Sequence, residues 1–120
     1  MRARDEAGAV TAEAAVVLPV LVVLVAALAW LVCLGVTQVR IVDAARETAR
    51  ALARSESTEV AVDDGRQVAP DGAEFEIHRG AGTVTVMVTV PVGGAGGVFA
   101  SLLPRFTARA TAVAAVEPGR

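Results

Sequence analysis

The sequence predicts an α+β fold: a long N-terminal transmembrane helix continuing into a soluble stem, then a small antiparallel sheet of about three strands. Three observations predict it. Residues 14–36 form a 23-residue apolar run without a charge. Beyond it, apolar residues recur at three- and four-residue steps with no breaker, at Ile41, Val42, Ala45, Ala49 and Leu52. Past Pro70-Asp71-Gly72 the rhythm switches to alternation, in EFEIHR and TVTVMVTV.

The apolar run comes first. At ~1.5 Å per residue it spans roughly 35 Å, enough to cross a ~30 Å hydrocarbon core with some tilt. It lacks the polar face that a soluble helix keeps. The chain is 54% apolar over 120 residues, and much of that is concentrated here, so the remainder buries only a small core. The single cysteine, Cys33, lies inside the run, which excludes an internal disulfide and reads as a small apolar filler. Net charge is −2, every basic residue is Arg, and Arg is interleaved with Asp and Glu. With aromatics at 3%, that pattern excludes a nucleic-acid footprint.

Three readings of the run compete. In a signal peptide, Arg2 and Arg4 would form the basic region and residues 27–29, ALA, the cleavage site. Asp5, Glu6 and Glu13 oppose that, and the run continues past the cut through Trp30, Leu31, Val32, Leu34 and Val36. A lipoprotein is opposed by WLVC, which lacks a small residue before Cys33. A plain anchor explains the length, with Thr11 as N-cap, Glu13 as a first-turn carboxylate and Pro19 as a tolerated kink. It accounts for each of these residues separately.

The third reading takes them together. GAVTAEAAVVLPVLVVL resembles the cleavage region of type IV prepilins: a short charged leader, a glycine, and a glutamate at the fifth position after the cut. It is closer still to the TadE-like minor pilins, or pseudopilins, of tight-adherence (Flp-type) type IV pilus systems. The matching positions are Gly8, Val10, Thr11, Glu13, Ala15 and Pro19, with a departure at Ala14, where that family often has an aromatic.

The resemblance implies removal of residues 1–8 by a prepilin peptidase, between Gly8 and Ala9. It implies a membrane-anchored assembly component for adhesion pili, and not an enzyme. It implies assembly or register roles for Glu13, Thr11 and Pro19. Its partners would be membrane lipid, other pilin subunits, the peptidase and the Tad-type assembly machinery. A carboxylate at the edge of hydrocarbon is costly unless paired, and a freed Ala9 amine on an adjacent subunit would suit Glu13. The organisation expected is leader 1–8, transmembrane helix 9–36, helical stem 37–57 and a small extracytoplasmic domain 58–120.

The remaining elements follow in order. One continuous helix is expected from about Thr11 to Ala53. On the stem, Asp43 with Arg46 and Glu47 with Arg50 offset like-charged neighbours on a solvated face. Residues 59–69 suit a short helix, with Gly65 as a weak point, before the Pro70-Asp71-Gly72 turn. Phe75 and Ile77 share one side of a strand, and Val84, Val86, Val88 and Val90 one side of the next. Residues 80–82, GAG, join them as a hairpin. Residues 93–97, GGAGG, form a flexible break and not a phosphate loop, since no Lys-Ser/Thr follows. A short apolar piece spans residues 98–103. Residues 105–116 read as a third strand, with helix as the alternative because of their alanine content.

No chemistry-bearing constellation emerges, and no cofactor is expected. His78 has no second histidine with which to begin a metal set. Asp63-Asp64 lacks the ligand spacing of a calcium loop and reads as a turn-adjacent solvated pair. Ser55, Ser57 and Ser101 lack a nucleophile elbow. Two topology arguments conflict. Arg40, Arg46, Arg50 and Arg54 outnumber Arg2 and Arg4, which favours a cytoplasmic C-terminus. The resemblance requires a cytoplasmic N-terminus and an extracytoplasmic domain, and that orientation is the one expected here. The rival to the pilin reading is an uncleaved, single-pass accessory or binding protein.

Overall fold

The computed structural model describes residues 2–93 and 104–118. Its elements are α1 (Arg2–Ala53), α2 (Thr58–Val68), β1 (Glu74–Arg79), β2 (Thr83–Val92) and β3 (Phe106–Ala115). The chain divides into two compact units, Met1–Cys33 and Leu34–Arg120. The fold is the α+β arrangement that the periodicities predict.

The first unit is helix alone. Its Val and Leu side chains are exposed on every side. The helix begins at Arg2, nine residues before the expected start at Thr11. Residues 2–7, RARDEA, are mostly good helix formers, and Asp5 sits in the favourable first turn. Thr11 is therefore not an N-cap. Its hydroxyl donates to the Ala7 carbonyl at 2.9 Å, one turn back inside the helix.

The second unit packs α1 from Leu34 onward against α2 and the sheet. Ile41, Ala45, Ala49 and Leu52 are buried, and so are Ala44, Thr48 and Ala51 on an adjoining stripe. The five expected stem positions thus describe only part of the covered surface. The added stripe faces α2. Thr48 is fully buried, and its hydroxyl is satisfied by the Ala44 carbonyl at 2.9 Å. The expected offsets among Asp43, Arg46, Glu47 and Arg50 do not become salt bridges among the described residues. Arg54 pairs instead with Glu56 at 2.9 Å.

α1 stops without a glycine or proline. The amide of Glu56 donates to Ala51 O at 3.2 Å, and that of Ser55 to Leu52 O at 3.1 Å, with Ser55 at φ 66°. These are the paired bonds of a Schellman motif, with serine in the left-handed position where glycine is cheapest. Ser55→Gly is expected to stabilise the protein by about 1 kcal/mol. Thermal unfolding of the full chain in detergent checks this, and an unchanged or lowered midpoint would count against it.

Ser57 then caps α2, accepting from the Val60 amide at 3.4 Å. Arg40 closes the other end, donating from its guanidinium to Val68 O and Ala69 O, both at 3.1 Å. Gly65 is a buried contact point rather than a weak spot. A Cβ there would collide with Thr48 Oγ1 and come within 2.9 Å of Phe75 Cε1 and 3.3 Å of Ala44 O. Asp63 and Asp64 lie within α2, a turn before its C-terminal end.

The sheet has the order β1-β2-β3, antiparallel throughout. Val84, Val86, Val88 and Val90 are all buried. Each such valine contributes about 1.5–3 kcal/mol of burial. Val86 is flanked by Ile77 and Ala112, and Val88 by Phe75 and Ala110. The tip GAG holds Gly82 at φ 73°, as a tight hairpin requires. Residues 106–115 resolve as strand, not helix. Their small alanines alternate with Thr107, Arg109, Thr111 and Val113, and this two-residue period pairs with β2 over ten positions. Apart from Gly93, the glycine-rich break and the apolar piece expected at 93–103 lie outside the described residues.

Candidate functional site

The residues singled out at the N-terminal end all fall on α1, in the first unit. A helix advances about 100° per residue, so they sort by face. Gly8, Thr11, Ala15 and Pro19 fall at steps of three and four and share one stripe. Glu13 lies about 140° around from Gly8, on the far side. Ala9 stands four residues before Glu13, directly one turn above it. The helix thus separates a small-residue stripe ending in proline from a face carrying Ala9 and the carboxylate.

Gly8, Ala9, Thr11, Glu13 and Pro19 are all exposed. Nothing lies within 4 Å of where a Gly8 Cβ would be. Glu13 makes no hydrogen bond or ion pair with another described residue. Its neighbours one turn away are Ala9, Val10, Val16 and Val17, so the carboxylate stands in an apolar surround. Pro19 has no amide hydrogen, which leaves the Ala15 carbonyl without its usual helical donor. Glu13 and the Ala15 carbonyl are therefore two acceptors without a partner inside their own helix, at one end of an apolar run. In hydrocarbon each needs a donor from elsewhere.

By length and composition, α1 is a helix able to cross a membrane. Cys33 is exposed on it. Both features fit a membrane anchor.

The other titratable and nucleophilic residues do not converge. His78 pairs with its strand neighbour Glu76 at 2.8 Å, both exposed. Ser57 serves as a helix cap and Ser55 as a helix terminator, and Ser101 lies outside the described residues. Among the described residues no three His, Cys, Asp or Glu gather in a metal-binding group. Arg66 lies over the Phe75 ring, 5.8 Å from its centroid, and closes the outside of the core.

The family model of the TadE-like proteins matches residues 8–50. The protein named apoptosis inhibitor Rv3655c, from Mycobacterium tuberculosis, is 38% identical over 108 residues, covering 89% of this chain and 78% of that protein. The chain belongs to the TadE-like family. No solved structure matches it. Membership links the chain to tight-adherence pilus systems. The TadE-like match takes in the N-terminal stripe, the apolar run and the stem as far as Arg50. The motif from Gly8 to Pro19 was visible in sequence. Arg40, Thr48 and Gly65 were not, because each acts through a contact with another element.

Proposed function

We infer that this TadE-like protein is a minor pilin or pseudopilin: a membrane-anchored structural component of a tight-adherence pilus, processed by prepilin peptidase between Gly8 and Ala9. The observation that carries the reading is Glu13, without a partner among the described residues and set one turn below Ala9 on the exposed first part of α1. Cutting after Gly8 frees an amine at Ala9. On a neighbouring subunit that amine is a fitting cation for Glu13, and the pair sets the register between adjacent helices. Helix–helix contacts then replace lipid contacts on the apolar faces. No catalytic role is needed.

The orientation proposed places residues 1–8 in the cytoplasm and the sheet outside. Two of the four arginines after the span, Arg40 and Arg54, have uses in the fold that do not depend on orientation. Arg40 is engaged at the end of α2, and Arg54 is paired with Glu56. A reporter active only outside the cytoplasm, fused after Arg120, is expected to be active. Activity from a cytoplasmic reporter at the same site would overturn the orientation.

Glu13→Ala tests the register role. Insertion is expected to persist or improve, because a charge near lipid is removed. Recovery of partner pilins with the protein, and surface piliation, are expected to fall at least about tenfold, the effect of losing about 1.4 kcal/mol at a subunit contact. Unchanged piliation would return Glu13 to a plain helix residue. The rival reading, an uncleaved accessory or binding protein, draws on the relative's name, which refers to apoptosis inhibition and not to pilus assembly.

A further inference from the structure

The sheet ends on two open edges. Its order, β1-β2-β3, leaves β1 and β3 each paired on one side only. In an antiparallel pair, residues alternate between those whose amide and carbonyl bond to the neighbour and those whose groups point away. Gly80 N donates to Thr83 O at 2.8 Å, which sets the phase on β1. Glu76 and His78 therefore bond to β2, and the backbone of Phe75 and Ile77 points outward. Val116 N donates to Gly82 O at 2.9 Å, which sets the phase on β3. Ala110, Ala112 and Ala114 bond to β2, and the backbone of Arg109, Thr111 and Val113 points outward. Gln38 Nε2 agrees with that phase, reaching Arg109 O at 3.4 Å from outside the sheet. Among the described residues, no other bond from outside the sheet meets these outward groups.

An open edge is a template for another strand. The two edges here carry opposite charge. On the outer face of the sheet the cross-strand rows are Glu74–Thr89–Arg109, then Glu76–Met87–Thr111, then His78–Thr85–Val113. The residues at both ends of each row are exposed. An acid thus stands on the β1 edge and a base on the β3 edge, in the same row. Arg109 is the one charged side chain on β3.

We propose that β3 of one copy pairs with β1 of a second copy of this chain, extending the sheet from subunit to subunit. The occupant is a second copy because the two edges complement each other in charge and in bonding phase. Repeating the unit across its strands sets Glu74 of the second copy beside Arg109. β1 and β3 are both antiparallel to β2, so this junction is parallel. In that register Ile77 of the second copy donates to Thr111 O and accepts from Val113 N. Phe75 of the second copy donates to Arg109 O and accepts from Thr111 N, the Arg109 carbonyl having a second lone pair beside the one that meets Gln38. Symmetric junctions lack this fit. β1 against β1 crowds Glu74 and Glu76 among like charges, and β3 against β3 gives Arg109 no carboxylate. A head-to-tail contact leaves one edge of each kind free, so it extends copy by copy. The proposal names a partner within the assembly reading above, and rests on it for holding copies in one membrane, where a short junction suffices.

The test is disulfide cross-linking of the full chain, Cys33→Ala, in membranes of its native host. His78→Cys and Val113→Cys are made in separate, differently tagged copies, and both positions are exposed. Co-expressed and oxidised, the two are expected to give a mixed dimer, with several-fold less dimer from either alone. One chain carrying both cysteines is expected to give a ladder beyond the dimer. Arg109→Glu in the Val113→Cys copy should lower the mixed dimer several-fold, and Glu74→Arg in the His78→Cys copy should restore it. Asp71→Cys replaces His78→Cys as the control and should cross-link several-fold less. Dimer from Val113→Cys alone as abundant as the mixed dimer would overturn the proposal, since it marks a symmetric junction. Equal cross-linking at 71 and 78, or no effect of Arg109→Glu, would also overturn it. No mixed dimer overturns it too, and where the same membranes hold chain cleaved after Gly8, the pilin reading survives that result.

Discussion

Gly8→Arg is expected to abolish leader removal while leaving membrane insertion and the fold intact. The full-length form should accumulate and the processed form should be undetectable on a gel. The fold is spared because Gly8 is exposed and has open space where a side chain would project. An arginine there meets nothing in its own chain. It would, however, fill the position at which a peptidase must approach the backbone closely. The bond after Gly8 also lies within α1, so that turn must open before it can be cut. Glycine eases the opening by about 1 kcal/mol relative to alanine. Gly8→Ala, which adds one methyl, should slow processing without stopping it. Normal processing of Gly8→Arg would remove the peptidase from the account.

Gly65→Val is expected to destabilise the soluble unit by about 3 kcal/mol, near the upper end for overpacking. The crossing of α1 and α2 has no room for a side chain. Even a Cβ collides with the Thr48 hydroxyl, which is itself buried and bonded to Ala44 O. Gly65→Ala should also destabilise, although alanine is the better helix former by about 1 kcal/mol. Combining it with Thr48→Ala removes the colliding oxygen and should recover part of the loss. Thermal unfolding of the wild type, Gly65→Ala, Thr48→Ala and the double variant measures the coupling. If Gly65→Val unfolds at the wild-type temperature, the close crossing is not what holds α2 in place.

Much of this architecture was legible because its signals are local. The uncharged run shows the apolar helix, and the two-residue alternation marks β1 and β2. The motif from Gly8 to Pro19 can be read in a window of a dozen residues. The failures were of two kinds. Ala44, Thr48 and Ala51 were not among the stem positions expected to be covered, because alanine and threonine do not announce burial. Their covering partner, α2, begins only at Thr58, beyond the end of their own helix. Gly65 looked like a breaker because glycine weakens an isolated helix, whereas its missing side chain makes the α1–α2 crossing possible. The end of α1 was placed correctly at Ala53, but its cause was hidden. Ser55 in a left-handed conformation is a backbone event that composition does not reveal.

Thr11 shows the same limit at the N-terminus. As an N-cap it would have explained Glu13 as a first-turn carboxylate on the helix dipole. With α1 beginning at Arg2, Glu13 lies about three turns into the helix, beyond the reach of that terminus. The carboxylate then stands in apolar surroundings without a partner in its own helix. Removal of residues 1–8 would return Glu13 to the fifth position, one turn from the new terminus at Ala9, so the partner proposed for it concerns the processed form.

The most direct measurement is the N-terminal residue of the protein isolated from membranes or fibres of its native host, read by mass spectrometry. The account predicts a chain beginning at Ala9, with its amine free to meet the Glu13 of a neighbour. A chain that retains residues 1–8 in both fractions would contradict it.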